Sequence, residues 1–242
     1  MKVYVIGLGP GRIDEITPRA TDALNNSDVI IGYTVYVDLI RDEFKSKRFL
    51  STPMTKEVDR CHLALKEATN GNVVSMVCSG DAGVYGMAGL MYEVAKGYPD
   101  VEIEVISGIT AACSGAGVLG APLIHDFAVI SLSDLLTPLS LIEKRIDAAA
   151  MADFVICIYN PSSKKRYDYL KNACNIILKH RSPETVCGIV RNIGRDGEET
   201  KLLTLKELCD TKVDMFTTVY IGNSSTMVIG DKMVTPRGYK DV

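Results

Sequence analysis

The sequence predicts an α/β fold built as two domains. Short runs rich in Val and Ile alternate with amphipathic stretches, and several of those runs feed directly into glycine-rich loops. The rhythm breaks mid-chain at a segment of small residues. Alternation of this kind predicts, in each domain, a mixed, largely parallel sheet flanked by helices.

Residues 3–6, 28–32, 72–78 and 101–106 are apolar runs of strand length, the pattern of strands buried on both faces. Between them, "MTKEVDRCHLALKEATNG" places Val58, Cys61, Ala64, Leu65 and Ala68 on one helical face, and Gly71 is placed to end that helix. Thr17-Pro18 has the form of an N-cap followed by proline at the first helical position. Leu90, Met91, Val94 and Ala95 mark another helix. "SGITAACSGAGVLGAPLIHDF", residues 107–127, reads as a tightly packed small-residue helix and a connector broken by Pro122. Strands resume at 127–132, 153–159, 185–191 and 215–221, with helices at 140–151 and 165–180. "EETKLLTL" and "MVIGDKMV" add further strands and make the second sheet mixed. The domains are accordingly expected at 1–118 and 119–242.

With 242 residues, a net charge of −3 and a pI near 5.7, the chain lacks a broad electrostatic grip on nucleic acid or an anionic membrane. No apolar run reaches membrane-spanning length, and residues 1–30 carry no charged-then-apolar leader pattern. The seven cysteines are scattered, odd in number and without a C-x-x-C pair, which predicts reduced thiols and a cytoplasmic protein. His62, His125 and His180 have no metal-ligand spacing, so no protein metal site is expected.

"VYVIGLGPGR", residues 3–12, sets a glycine turn after the first strand. The dinucleotide fingerprint is G-x-G-x-x-G, with the helix opening inside the turn to receive a pyrophosphate. Here the third position is Arg12, Pro10 follows the second glycine, the next helix starts late, and the expected acidic residue would be Asp28, ahead of a strand. A second loop, Ser79, Gly80, Asp81, Gly83, Tyr85 and Gly86, follows another buried strand, and "SGITAA" follows a third. The carboxyl ends of strands are where open α/β sheets bind ligands. Asp81 either meets a ligand there or caps a helix starting near Tyr85, and Thr110 either caps the small-residue helix or binds.

The GxGPG turn, the Gly-Asp loop and the "TAA" helix start together resemble the tetrapyrrole methylases. Within that family, "SGDAGVYGMAG" (79–89), "SLSDLLTP" (131–138), "IYNPSSKKR" (158–166), "GIVRNIGRDGE" (188–198), "TTVYIGNS" (217–224) and "MVTPRGY" (233–239) are similar to the precorrin-3B or cobalt-precorrin-3 C17-methyltransferases of cobalamin synthesis. The similarity runs in order along nearly the whole chain. Gly-Asp-Ala at 80–82, where much of the family has Gly-Asp-Pro, suits this branch, whereas Leu139 stands where the branch commonly has tryptophan.

The resemblance implies S-adenosylmethionine in a cleft between two α/β domains, a corrin precursor as substrate, and a homodimer. It implies cofactor contacts at Pro10, Gly80, Asp81, Val84, Thr110, Ala111, Tyr159, Asn160, Arg191, Asn192, Ile193 and Thr218. A substrate dense in carboxylates calls for a local basic lip, with Arg166 and Arg195 as candidates for bidentate contacts and Lys164 and Lys165 beside them. Tyr85, Ser131 and Thr137 complete the expected substrate contacts. The reaction, methylation of C17 with ring contraction, needs alignment more than a covalent intermediate. Contraction moves protons, which makes Asp134, with Ser133 beside it, a candidate acid/base; a helix start built from the same two residues is the structural alternative. A sister tetrapyrrole C-methyltransferase and a non-catalytic S-adenosylmethionine or tetrapyrrole binder are the competing readings.

Overall fold

A computed structural model describes residues 1–163 and 167–240. The chain divides into two compact units, Met1–Ala111 and Ala112–Val242, so the division falls at the start of the small-residue helix rather than beyond it.

The first unit runs β1 (Lys2–Gly7), α1 (Pro18–Asn26), β2 (Val29–Tyr33), α2 (Thr34–Ile40), β3 (Arg48–Thr52), α3 (Glu57–Thr69), β4 (Val73–Cys78), α4 (Ala88–Ala95) and β5 (Glu102–Ile106). Its sheet has the order β3-β2-β4-β1-β5 and every pairing is parallel. Both faces are covered. Val3, Val5, Ile31 and Met76 pack under Cys61, Ala64 and Leu65 of α3 and Met91 of α4. Ile6, Ile30 and Val77 pack under Ala20 and Leu24 of α1 and Val37 and Ile40 of α2. Leu24 and Leu65 are fully buried, each stabilising the fold by roughly 1.5–3 kcal/mol through removal from water. As the sequence predicts, Thr17 caps α1, accepting from the Ala20 N–H at 3.3 Å with Pro18 at the first helical position. Neither α2 nor β3 is evident in the sequence: α2 begins directly from β2 without a side-chain cap, and β3 is a half-exposed edge strand.

β1 and β4 are neighbours, yet the helices that follow them, α1 and α4, lie on opposite faces. Their carboxyl ends are therefore a topological switch point, where this class of sheet opens a crevice.

The second unit contains most of α5 (Ala111–Leu119), then β6 (Gly120–Ala121), β7 (Phe127–Ser131), α6 (Leu139–Met151), β8 (Val155–Tyr159), α7 (Tyr169–Ile177), β9 (Val186–Arg191), β10 (Glu199–Thr204), α8 (Leu205–Cys209), β11 (Thr217–Ile221), β12 (Met227–Ile229) and β13 (Lys232–Val234). The α/β class holds, with one refinement of strand direction. In the sheet β10-β9-β11-β8-β7 only β7 and β8 run parallel; the other three pairings are antiparallel. For β9 and β10 the cause is connection length: β9 turns into β10 through residues 192–198, too short for a crossover. "MVIGDKMV" forms the β12–β13 hairpin, and β13 also pairs with β6.

One face of this sheet carries α6, α7 and α8 on Ile130, Ile156, Ile158, Cys187, Val219 and Ile221. The other face receives α5, which approaches closely because glycines remove side chains. A Cβ at Gly115 would lie 2.4 Å from the Tyr220 hydroxyl, and one at Gly188 2.7 Å from Leu119. Among the described residues no helix is long and apolar enough to cross a membrane, and no cluster of His, Cys, Asp and Glu is arranged to hold a metal ion. Five cysteines are buried thiols, Cys209 is half-buried and Cys113 is exposed.

Candidate functional site

At the carboxyl end of the first unit's sheet, three loops close on one another. Gly9 N–H donates to the Gly80 carbonyl at 3.0 Å, and Gly80 N–H donates back to the Gly9 carbonyl at 2.7 Å. Both residues lie in the left-handed region, with φ of +77° and +68°, a conformation glycine adopts without steric cost. A Cβ at Gly7 would lie 2.5 Å from the Gly80 carbonyl oxygen, and one at Gly108 would lie 2.3 Å from the same atom. The first glycine turn is therefore required by the neighbouring loop, whose backbone seals the switch point.

Asp81 extends the tie to the third loop. Its Oδ1 accepts from Gly83 N–H at 2.7 Å and its Oδ2 from Gly108 N–H at 3.0 Å. The helix cap expected of Asp81 is not formed: α4 starts at Ala88, its N-cap is Met87, and no side chain caps it. Pro10 is buried, while Val84, Tyr85 and Ile109 are 37%, 58% and 38% exposed, leaving an apolar ledge beside the polar backbone of the loops. Thr110 and Ala111 border the same ledge, since a Cβ at Gly80 would lie 3.7 Å from each. All the expected first-unit residues are thus gathered at one end of one sheet. Sequence reasoning missed Arg60 of α3, which is buried and links the end of β3 to the residue ahead of α4. Its Nε donates to Thr52 Oγ1 at 2.9 Å, one Nη to the Pro53 carbonyl at 3.1 Å, and the other Nη approaches Met87 Sδ at 3.8 Å.

In the second unit the remaining expected residues collect at one end of the sheet, but on two faces. Asn160 and Asn192 follow β8 and β9 in the left-handed region, with φ of +52° and +53°, which asparagine tolerates better than most residues. Ser131 Oγ accepts from Asn160 Nδ2 at 2.9 Å and from Ser133 N–H at 3.2 Å, tying together the loops after β7 and β8. Tyr159 reaches toward α5, its hydroxyl accepting from Ala112 N–H at 2.6 Å, and the buried Tyr220 hydroxyl donates to the Ala112 carbonyl at 3.0 Å. The first of these satisfies an N–H that the helix start leaves without an internal partner. Burial pushes the Tyr220 phenol far above its usual range. Thr218, paired with Val190, shares the α5-side face with Tyr159, while Ile193 is buried against Gly115.

Arg191 faces the other way. The register sets it opposite Glu199 and Thr217, on the helix-bearing face, where its Nε donates to Asp214 Oδ2 at 2.8 Å and Glu199 lies 3.9 Å away. Partial burial works against the Asp214 charge, but bonds from Arg191, Thr217 and Phe216 outweigh it and hold the carboxyl below its usual range. The hydrogen bond to Asp214 also raises the Arg191 pKa. Arg195 belongs to the β9–β10 turn, its N–H donating to the Asn192 carbonyl at 2.9 Å. Asp134 is exposed and accepts from the Tyr169 hydroxyl at 2.9 Å. It does not start a helix, because α6 begins at Leu139 behind Pro138. Thr137 is half-buried on the same loop, whose Leu135 and Leu136 are 74% and 94% exposed. Leu139 borders a void of about 10 Å³ with Leu132, Ile142 and Tyr169. Arg166, with Lys164 and Lys165, lies outside the described residues. Tyr169 and Asp214 carry no motif that marks them in the sequence, and Tyr220 stands in "TTVYIGNS" without being singled out.

The sequence profile of the tetrapyrrole (corrin/porphyrin) methylases matches residues 2–209. The chain belongs to the tetrapyrrole methylases. This methylase is 46% identical to the "Probable cobalt-factor III C(17)-methyltransferase" of Salmonella typhimurium, over 97% of the chain and 98% of that protein. It is 51% identical, over 99% of its length, to the "Cobalt-factor III methyltransferase" of Priestia megaterium, of which it spans 45%. Its fold is similar to the crystal structure of the methyltransferase CobJ, with a TM-score of 0.90 and 36% identity over 97% of this chain and 99% of that one.

Proposed function

We propose that this tetrapyrrole methylase transfers a methyl group from S-adenosylmethionine to C17 of a cobalt-bearing precorrin-3, or cobalt-factor III, with contraction of the macrocycle, in cobalamin synthesis. The observation that carries the reading is end-to-end similarity to the Salmonella protein, with each chain covered almost completely. The first-unit ledge fits the methyl donor by its chemistry. Val84 and Ile109 offer exposed apolar surface for an adenine, beside loops whose glycine-rich backbone presents polar groups. S-adenosylmethionine, when bound, supplies a methyl group on a good leaving group.

The chain's own residues align the reactants and exclude water. The Gly9–Gly80 bridge and Asp81 fix the three loops that carry Pro10, Val84, Tyr85, Thr110 and Ala111. In the second unit, Tyr159, Asn160, Asn192, Ile193 and Thr218 are the proposed cofactor contacts, with Arg191 contributing through its backbone because its side chain is held by Asp214. Tyr85, Ser131, Thr137, Arg166 and Arg195 are proposed for substrate. Asp134, held by Tyr169, is the proposed acid/base for ring contraction, with Ser133 beside it. We place the reaction in the cytoplasm on the strength of its free thiols, and take the working form to be a homodimer.

The test is a panel in which cobalt-factor III, precorrin-3B and uroporphyrinogen III are each incubated with enzyme and S-adenosylmethionine and read by mass spectrometry. The reading expects one methyl gained by the cobalt compound, followed by precorrin-3B at lower rate. Preferential methylation of uroporphyrinogen would replace it with the sister activity.

A further inference from the structure

The cleft on the helix-bearing face of the second unit's sheet has a volume of about 460 Å³. It is walled by Ile189, Arg191, Lys201, Lys212, Asp214 and Thr217. Register explains the lining. Arg191, Glu199 and Thr217 stand side by side at the sheet end, with Ile189 and Lys201 as the next pair inward, and the segment after α8 brings Lys212 and Asp214 over them.

The charges in this cleft do not cancel. Asp214 is fully engaged, its Oδ2 accepting from Arg191 and its Oδ1 accepting from Phe216 N–H at 2.9 Å and Thr217 Oγ1 at 3.0 Å. Glu199 is 3.9 Å from Arg191. Asp214 is thus held by the arginine, while Glu199 is exposed beside it. Lys201 and Lys212 are exposed and make no hydrogen bond or ion pair among the described residues. In a chain with net charge −3, three cationic groups, Arg191, Lys201 and Lys212, thus stand in one concave site with two acids, Asp214 and Glu199, and Lys201 also feels the charge of Glu207.

The geometry points to a carboxylate subsite: Lys201 and Lys212 receive acidic side arms of the tetrapyrrole while the macrocycle lies at the sheet end. This rests on the tetrapyrrole reading above and adds to it two residues and a place for the substrate's periphery. Arg191 then has a second task, holding the Asp214 carboxylate so that it faces the arginine and not the incoming carboxylates. Lysine suits this work, because a compact charge on a flexible stem follows arms of differing reach.

The experiment titrates the full-length enzyme with uroporphyrin III, a fluorescent octacarboxylate, and with its octamethyl ester. Wild type, the Lys201→Gln/Lys212→Gln double variant and the Lys201→Arg/Lys212→Arg double variant are compared. Two lysine–carboxylate contacts of ordinary strength correspond to roughly a fivefold to twentyfold rise in Kd for the Gln pair. Restoration in the Arg pair, loss of the difference at high salt, and unchanged ester binding are the supporting results. Both positions are exposed, so S-adenosylhomocysteine affinity and Tm should stay at wild-type values and report that the fold is intact. Equal octacarboxylate affinity in wild type and the Gln pair would overturn the subsite, as would failure of wild type to bind it. In either case methyl transfer to cobalt-factor III by wild type tells separately whether the functional reading stands.

Discussion

Gly9 and Gly80 exchange two backbone hydrogen bonds, 3.0 and 2.7 Å long, and so fasten the loop after β1 to the loop after β4. The turn that most resembles a nucleotide fingerprint is shaped by another turn. Its glycines answer to chain packing first, and any ligand meets a ledge that is already assembled.

Gly7→Ala therefore forces backbone apart, because the added carbon would lie 2.5 Å from the Gly80 oxygen and 2.7 Å from the Gly108 nitrogen. The expected cost is about 2 kcal/mol or more, visible as a lowered Tm together with weakened S-adenosylmethionine binding. Gly89→Ala in α4 is the control, since nothing lies within 4 Å of its added carbon. It should stabilise by up to about 1 kcal/mol. Equal Tm shifts in the two variants would contradict the packing account.

Asp81→Ala removes the acceptor of both the Gly83 and Gly108 N–H groups. Losing a charged acceptor from the part-buried Gly108 donor costs on the order of 1.5–3 kcal/mol. We expect the Kd for S-adenosylhomocysteine to rise about tenfold or more by calorimetry, with Asp81→Asn milder because its amide keeps one acceptor oxygen. A Kd unchanged in Asp81→Ala would show that the third loop holds its place unaided.

Gly115 and Tyr220 should behave as a coupled pair. A Cβ at Gly115 meets the phenol oxygen at 2.4 Å and the ring carbon that bears it at 3.2 Å. Gly115→Ala alone should be strongly destabilising. Tyr220→Phe alone loses the bond to the Ala112 carbonyl, a loss of about 1 kcal/mol. Denaturant unfolding of the double variant should recover roughly 1–2 kcal/mol relative to the sum of the singles; strict additivity would deny the contact.

Asp214 gives a pH dependence of known sign. Its folded carboxyl is held low, so the unfolded chain takes up the proton more readily. The stabilisation is complete above the unfolded value near about 3.9 and is lost as pH falls through the lower folded value. Asp214→Asn should lower Tm at neutral pH and flatten its decline below about pH 4. A thermal melt series with the same acid limb in both proteins would contradict this.

How much of this was legible in the sequence depends on locality. The first sheet's strands could be read because burial on both faces writes a continuous apolar run, as at residues 72–78, and the Thr17-Pro18 start because capping is local. Strand direction in the second unit was hidden in the short β9–β10 connection, and β3 in its half-exposed pattern. At the site, Gly80 and Asp81 stood out as loop residues after a strand, while Asn160 and Asn192 came through the family resemblance. The side on which Arg191 points did not, because it is set by pairing with Glu199 and Thr217, partners assigned only once the sheet has formed. Arg60 and Tyr169 were equally invisible, since what they hold is distant in sequence.

The central claim is methyl transfer to C17, and the position of the new methyl tests it most directly. Enzyme is given cobalt-factor III and S-adenosylmethionine carrying a carbon-13 methyl group, and the product is examined by NMR. The account predicts one labelled methyl on C17 of a contracted macrocycle. Label at any other carbon, with C17 untouched, would contradict it.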